Sequence, residues 1–217
     1  MVVVGAASMS AIHLILASAS AGRARLLREA GVDFDVVVSG VDEDEVVHLM
    51  GHDVSVSDIV AGLAAAKAHD VAEELADRVG DALIVGCDSV LDLDGVAHGK
   101  PASAHEAIER WKFMRGRDGI LRTGHHVIRT GITQTEVSGV ASTIVRFGNP
   151  SDEEIEAYVA TGIPMRVAGA FTIDGLAAPF IEGVDGDPSN VVGLSLPLLR
   201  HLLADLGVQW TTLWETQ

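Results

Sequence analysis

Cysteine is nearly absent from the 217-residue chain. Cys87 stands alone, so no disulfide can form within the chain, and a reducing cytosol suits it. Basic side chains are scarce as well, 15 against 31 acidic, for a formal net charge of −16. Such a surface repels a polyanion and excludes long nucleic acid as a partner. A small phosphorylated ligand would need the few cations gathered in one place, or a metal. No uncharged apolar run reaches the ~18 residues of a membrane span. No Lys or Arg precedes Arg23, so the apolar N-terminal stretch lacks the positive region of a signal peptide. Residues 12–17 read as a buried strand instead, and Met9 competes with Met1 as the start.

What is present, 48% hydrophobic residues and 23 glycines with few aromatics, reads as a small-residue α/β protein. Strand and helix patterns alternate with no linker or repeat, so residues 1–217 are expected to form one domain, its core at 10–207 in two lobes around one cleft. Strand 12–17 leads through Ser18-Ala19-Ser20-Ala21-Gly22 into a helix at 23–30, ended by Gly31. Free N–H groups at that helix start, the hydroxyls of Ser18 and Ser20 and the guanidinium of Arg23 make a phosphate-binding pattern. A second strand is expected at 33–39. The acidic run at 42–45 reads as a solvated loop, with one carboxylate able to help hold magnesium.

Ser55-Val56-Ser57-Asp58 opens a helix to about residue 76, in which Lys67 is expected to snorkel outward. Further helices start at Ser103, Ser151 and Ser195, and strands at 119–130 and 137–147 are expected to pair antiparallel. The glycine-rich section at 168–190 suits short strands or edge segments.

The most informative stretch is residues 84–101, IVGCDSVLDLDGVAHGKP. An apolar run stops at Asp88, which the sequence places at a strand end. Asp94-Gly95 is a two-residue hairpin signal that would pair Leu93 with Val96 and return Lys100 beside Asp88. Competing motifs are weaker. His48 and His52 have the spacing of a helical zinc pair without the accompanying glutamate. Cys87 beside a carboxylate reads as a core residue. Residues 95–101 fail as a phosphate loop, because Pro101 stands where the magnesium-binding hydroxyl belongs. Asp92 and Asp94 resemble the nucleophile pair of haloacid-dehalogenase-like phosphatases. Beside that alternative stands a non-catalytic nucleotide-sensing regulator.

In order along residues 12–207, the motifs Leu16-Ala17-Ser18-Ala19-Ser20 with Arg23, Gly40-Val41-Asp42-Glu43, Lys67-Ala68, Gly86-Cys87-Asp88-Ser89-Val90, Gly99-Lys100-Pro101, Ala168-Gly169-Ala170-Phe171 and Asn190-Val191-Val192-Gly193-Leu194 resemble the Maf (septum-formation) family of nucleoside triphosphate pyrophosphatases. The resemblance implies a two-lobed Maf/ITPase-like α/β fold with a long twisted mixed β-sheet and a central cleft. It also implies a cytoplasmic, Mg²⁺- or Mn²⁺-dependent hydrolase that releases pyrophosphate, with house-cleaning and division-related roles, and a homodimer is kept open beside it. Asp88 matches the catalytic acid, described as proton acceptor. Ser18, Ser20, Arg23, Lys67 and Lys100 match substrate-binding positions, and Glu43 with Asp88 is expected at the metal. Arg25 stands where an acid is usual, Phe171 replaces a tyrosine, and Asp174 a glutamine or similar residue near the base pocket. These departures leave open pyrimidine triphosphates or modified bases such as 7-methyl-GTP.

Overall fold

The computed structural model describes residues 12–214 apart from 52, 77 and 132. It is a mixed α/β structure on one seven-stranded sheet ordered β2-β1-β3-β5-β6-β7, with β4 paired to β3. The strands are β1 (His13–Leu16), β2 (Phe34–Val36), β3 (Ala82–Leu93), β4 (Val96–His98), β5 (Asp118–Arg129), β6 (Thr135–Phe147) and β7 (Ile181–Asp185). β1 runs parallel to β2 and β3; the other pairings are antiparallel.

Among the described residues seven α-helices surround the sheet: α1 (Ala21–Glu29), α2 (Glu43–Met50), α3 (Val56–Leu75), α4 (Ala104–Met114), α5 (Asp152–Ala160), α6 (Pro188–Val192) and α7 (Leu196–Asp205). Their starts follow local chemistry. Ser55 and Ser151 form capping boxes with Asp58 and Glu154, while Ser103 and Ser195 each accept a backbone N–H of the first turn. Asp42 caps α2, so the acidic run is a helix start rather than a loop; three acids in its first turn face the positive end of the helix dipole. The sequence expectation of a strand over 33–39 shrinks to three residues, because β2 is an edge with only β1 to pair against. The glycine-rich section is mostly 3-10 turns with a single strand, β7, and the short α6.

β3 organises the molecule. Its first half is buried between two apolar layers, Leu14, Leu16, Leu83, Val85 and Leu199 on one face and Ile15, Ile84, Ala68 and Val71 on the other. Its last residues, Leu91 and Leu93, belong to a different core with Trp111, Met114, Phe147 and Tyr158. Asp88 therefore lies within a twelve-residue strand, not at a strand end, and marks the passage from one core to the other. The apolar pattern resumes at Val90, which packs with Val56 and Val60 of α3, and continues at Leu91 and Leu93 because the second core needs them. β1 pairs with residues 82–85 of β3 and β4 with residues 91–93, so between these two ladders one edge of β3 has no strand partner among the described residues. The Asp94-Gly95 hairpin forms in the expected register, Leu93 opposite Val96, with both turn residues at positive φ, 54° and 85°.

Candidate active site

Arg23 fills the unpaired edge of β3. Its Nη1 donates to the Cys87 carbonyl at 2.8 Å and to Ser18 Oγ at 2.9 Å, Nη2 to Ser89 Oγ at 3.0 Å, and Nε to the Gly193 carbonyl at 2.7 Å. The guanidinium thus satisfies a strand carbonyl that lacks a strand partner, and it ties α1, β3 and the end of α6 together. Four of its five N–H donors are spent on the protein, an inward orientation that the sequence pattern did not reveal. Ser20 caps α1, accepting the Arg23 N–H, and Ser18 Oγ also accepts the Ser20 N–H at 3.2 Å.

Lys67 is buried rather than snorkelling. Its Nζ lies 2.6 Å from Asp88 Oδ1 and 2.7 Å from Glu43 Oε1, bridging a strand carboxylate and a helix-start carboxylate. The sheet lets the helix come this close at two glycines. A Cβ at Gly86 would lie 2.2 Å from the Ala64 carbonyl oxygen, and one at Gly124 would lie 2.1 Å from that of Val60. Gly124 is the register partner of Asp88, so bare backbone beneath α3 is what brings Lys67 within reach.

Burial pushes the Asp88 carboxyl above the usual carboxylate range, and the Glu43 charge acts the same way; Lys67 and Arg23 offset this only in part. Glu43 is half-exposed. Burial raises it, but the Lys67 hydrogen bond and the charges of Lys67, Lys100 and Arg23 outweigh that and hold it below its ordinary value. Lys100 is exposed and lies beyond the β3–β4 ladder, and its charge helps to lower Glu43. The loop before it is pinned at the Gly99 carbonyl, which accepts from Arg110 Nη1 at 2.6 Å and the Gly169 N–H at 3.1 Å. Asp88, Glu43, Lys67, Arg23 and Ser18 therefore form one neighbourhood, joined by direct contacts, with the charge of Lys100 acting on Glu43 from outside them. Surface depressions elsewhere, one near Pro197 and Trp210 and one near Asp81 and Arg129, contain none of these residues.

The alternative nucleophile pair resolves differently. Asp92 Oδ1 accepts the Gly95 N–H at 2.8 Å and Oδ2 pairs with Arg122 at 2.8 Å, while Asp94 pairs with Arg117 at 2.6 Å. Both aspartates build the hairpin. Cys87 is fully buried and its thiol is pushed up to about 11 by burial, which suits a core residue. His48 lies on α2, and its proposed partner His52 falls outside the described residues. Arg25 and Asp174, both departures from the resemblance, form an exposed ion pair at 2.5 Å.

A mixed α/β sheet with a buried lysine bridging two carboxylates, and a buried arginine beside it, defines a protein suited to polyphosphate chemistry. Comparison makes this specific. The family profile described as Maf-like protein matches residues 13–206, and the chain belongs to the Maf family. A nucleoside triphosphate pyrophosphatase of Streptomyces coelicolor is 57% identical over 93% of this chain and 94% of its own. One of Rhodococcus opacus is 50% identical over 93% and 96%. Among solved structures, a HAM1 protein of Coxiella burnetii matches with a TM-score of 0.43 at 14% identity, over 89% of this chain and 99% of that one. At that distance nothing further rests on it.

Proposed function

We propose that the Asp88–Lys67–Glu43 cluster is where this chain, a nucleoside triphosphate pyrophosphatase, splits its substrate into monophosphate and pyrophosphate. The observation carrying this reading is that Lys67 bridges Asp88 and Glu43, with Arg23 bound to the Cys87 carbonyl next to them, in a chain of net charge −16. Growing negative charge on the leaving pyrophosphate has few other places to be neutralised.

In this reading Asp88 takes the proton of the water that attacks the α-phosphorus. Its Oδ1 is held by Lys67, and Oδ2 has no hydrogen-bond partner among the described residues. A carboxyl held above its usual range is a better base once ionised. Ser18 Oγ already accepts two hydrogen bonds, so its own O–H is left to donate to a phosphate oxygen. Ser20 sets the start of α1 and with it the place of Arg23, and Lys100 would meet the outer phosphates from the pinned loop. Arg23 contributes its charge and one remaining Nη2 donor while it holds the β3 edge in place.

The donor set at Asp88 and Glu43 is oxygen only, which fits a hard Mg²⁺ or Mn²⁺ completed by phosphate oxygens and water. Asp88 and Glu43 would hold it, and it would neutralise phosphate charge and lower the pKa of bound water. The cytoplasm is the compartment that suits a lone buried thiol. Among the described residues no helix is long and apolar enough to cross a membrane.

A nucleotide panel with Mg²⁺, assayed separately for pyrophosphate and orthophosphate, tests this function. Pyrophosphate with one preferred base is expected. Orthophosphate from monoesters would favour a phosphatase, and binding without product would leave a sensor. Light scattering at 22.7 kDa rather than twice that would remove the homodimer expectation.

A further inference from the structure

Helix α3 carries a second cluster on its other flank. His69 follows Lys67 by two residues, about 200° further around the helix. It meets His126 on β5 and Glu136 on β6. His69 Nε2 lies 3.2 Å from Glu136 Oε2, and His126 Nε2 lies 3.4 Å from the same oxygen. One ligand atom from each of the three lies within 4.8 Å of the others. The imidazole rings stand 5.2 Å apart between centroids.

These separations have a specific chemical meaning. A tetrahedral ion with metal–nitrogen and metal–oxygen bonds near 2.0–2.1 Å has ligand–ligand edges of about 3.3 Å. On three different elements, two of the three edges already stand at that spacing and the third is within 4.8 Å. His126 is buried in register with Gly86 beneath α3, which fixes its ring; the side chains of His69 and Glu136 are 45% and 48% exposed, which leaves a face open to water. Two imidazoles with one carboxylate select borderline ions such as Zn²⁺, Co²⁺ or Ni²⁺ over Mg²⁺, which prefers oxygen alone. Burial also lowers the His126 pKa, which favours the neutral, ligating form of the ring.

We propose that His69, His126 and Glu136 form a second metal site, separate from the catalytic cluster, that takes one divalent transition ion of the zinc class and clamps α3 to β5 and β6. The ion would stabilise the helix that presents Lys67 on its opposite side without entering the reaction.

The test uses the full-length, metal-free protein without nucleotide, titrated with Co²⁺ and followed by its visible absorption, then challenged with Zn²⁺. One equivalent is expected to bind, to be displaced by Zn²⁺, and to raise the unfolding temperature. His69→Ala and Glu136→Gln should each weaken binding by about tenfold or more, since each removes one of three ligands. Both positions are exposed enough for circular dichroism to show an intact fold, and pyrophosphate release with Mg²⁺ should be retained in both. Weakened binding in either folded variant supports the site. Binding weaker than about 1 mM in the unaltered protein, a level that would add little stability at ordinary ion concentrations, would overturn it, as would an unchanged spectrum and affinity in both variants.

Discussion

Two aspartates four residues apart on β3 have nearly the same burial, Asp88 at 7% exposed and Asp92 at 8%, and both pair with a cation. They differ in what is left over. Asp92 spends one oxygen on the hairpin backbone and the other on Arg122, so nothing remains for a substrate. Asp88 gives one oxygen to Lys67, which is itself shared with Glu43, and lies where one edge of β3 has no strand partner. A saturated carboxylate holds a turn; an unsaturated one beside a shared lysine can accept a proton and meet a ligand. Burial and ion pairing alone do not separate structure from chemistry, whereas unspent valence does.

The largest effect that would break this contrast comes from Lys67→Met. It leaves two carboxylates together with no bridging cation, and a loss of about 3 kcal/mol in stability near neutral pH is expected from breaking a buried pair. The sign follows from linkage. Without Lys67 the folded-state pKa of Asp88 rises further above its unfolded value, so the fold is penalised where Asp88 must ionise. The deficit relative to the unaltered protein should shrink as pH falls through the folded pKa, read by urea denaturation across a pH series. Activity should fall by about 100-fold or more even where the variant is folded, as for loss of an electrostatic contact made in the transition state. A deficit that grew as pH fell would contradict the pairing.

Gly124→Ala acts on the same contrast through the helix seat. The new methyl meets the Val60 carbonyl, so α3 must lift and carry Lys67 away from Asp88 while Asp92–Arg122 is untouched. A loss of about 3 kcal/mol is expected from overpacking against backbone, with activity falling alongside stability. Thermal unfolding and pyrophosphate release measured together would check it.

Asp92→Asn should behave in the opposite way. Loss of the charged partner of Arg122 should cost about 1–2 kcal/mol in denaturant unfolding and leave pyrophosphate release within about threefold.

The smallest effect sharpens the comparison. Because the Glu43 charge helps raise Asp88, Glu43→Gln should move the acid limb of the kcat/KM profile to lower pH, with Lys67 then paired to Asp88 alone. A limb moving to higher pH would mean that Asp88 does not govern it.

Much of this architecture was legible because it is written locally. The serine caps, the Asp94-Gly95 turn and the β5–β6 pairing depend on neighbouring residues, and each formed as read. α6 was signalled too, by Asp187-Pro188 at its start and Gly193 after its end, although the glycines around it suggested edge strands. What escaped depends on tertiary partners. Lys67 read as an outward-facing lysine because nothing in an alanine-rich helix reveals two carboxylates waiting beneath it. Arg23 read as a phosphate fork because the unpaired Cys87 carbonyl exists only once β1 and β4 stop short of each other. Asp88 read as a strand end because the second core that reclaims the chain at Leu91 is built from residues 107–180. His69, His126 and Glu136 lie on three elements and share no motif; only the sheet register unites them.

Asp88, and not Asp92, is proposed to perform the chemistry. The direct measurement is pyrophosphate release at saturating nucleotide with Mg²⁺ for Asp88→Asn and Asp92→Asn side by side, each checked for fold. A fall of about 1,000-fold for Asp88→Asn, the scale of a lost general base, with Asp92→Asn close to the unaltered rate, is the expected result. An Asp88→Asn protein that turns over at the unaltered rate would contradict it.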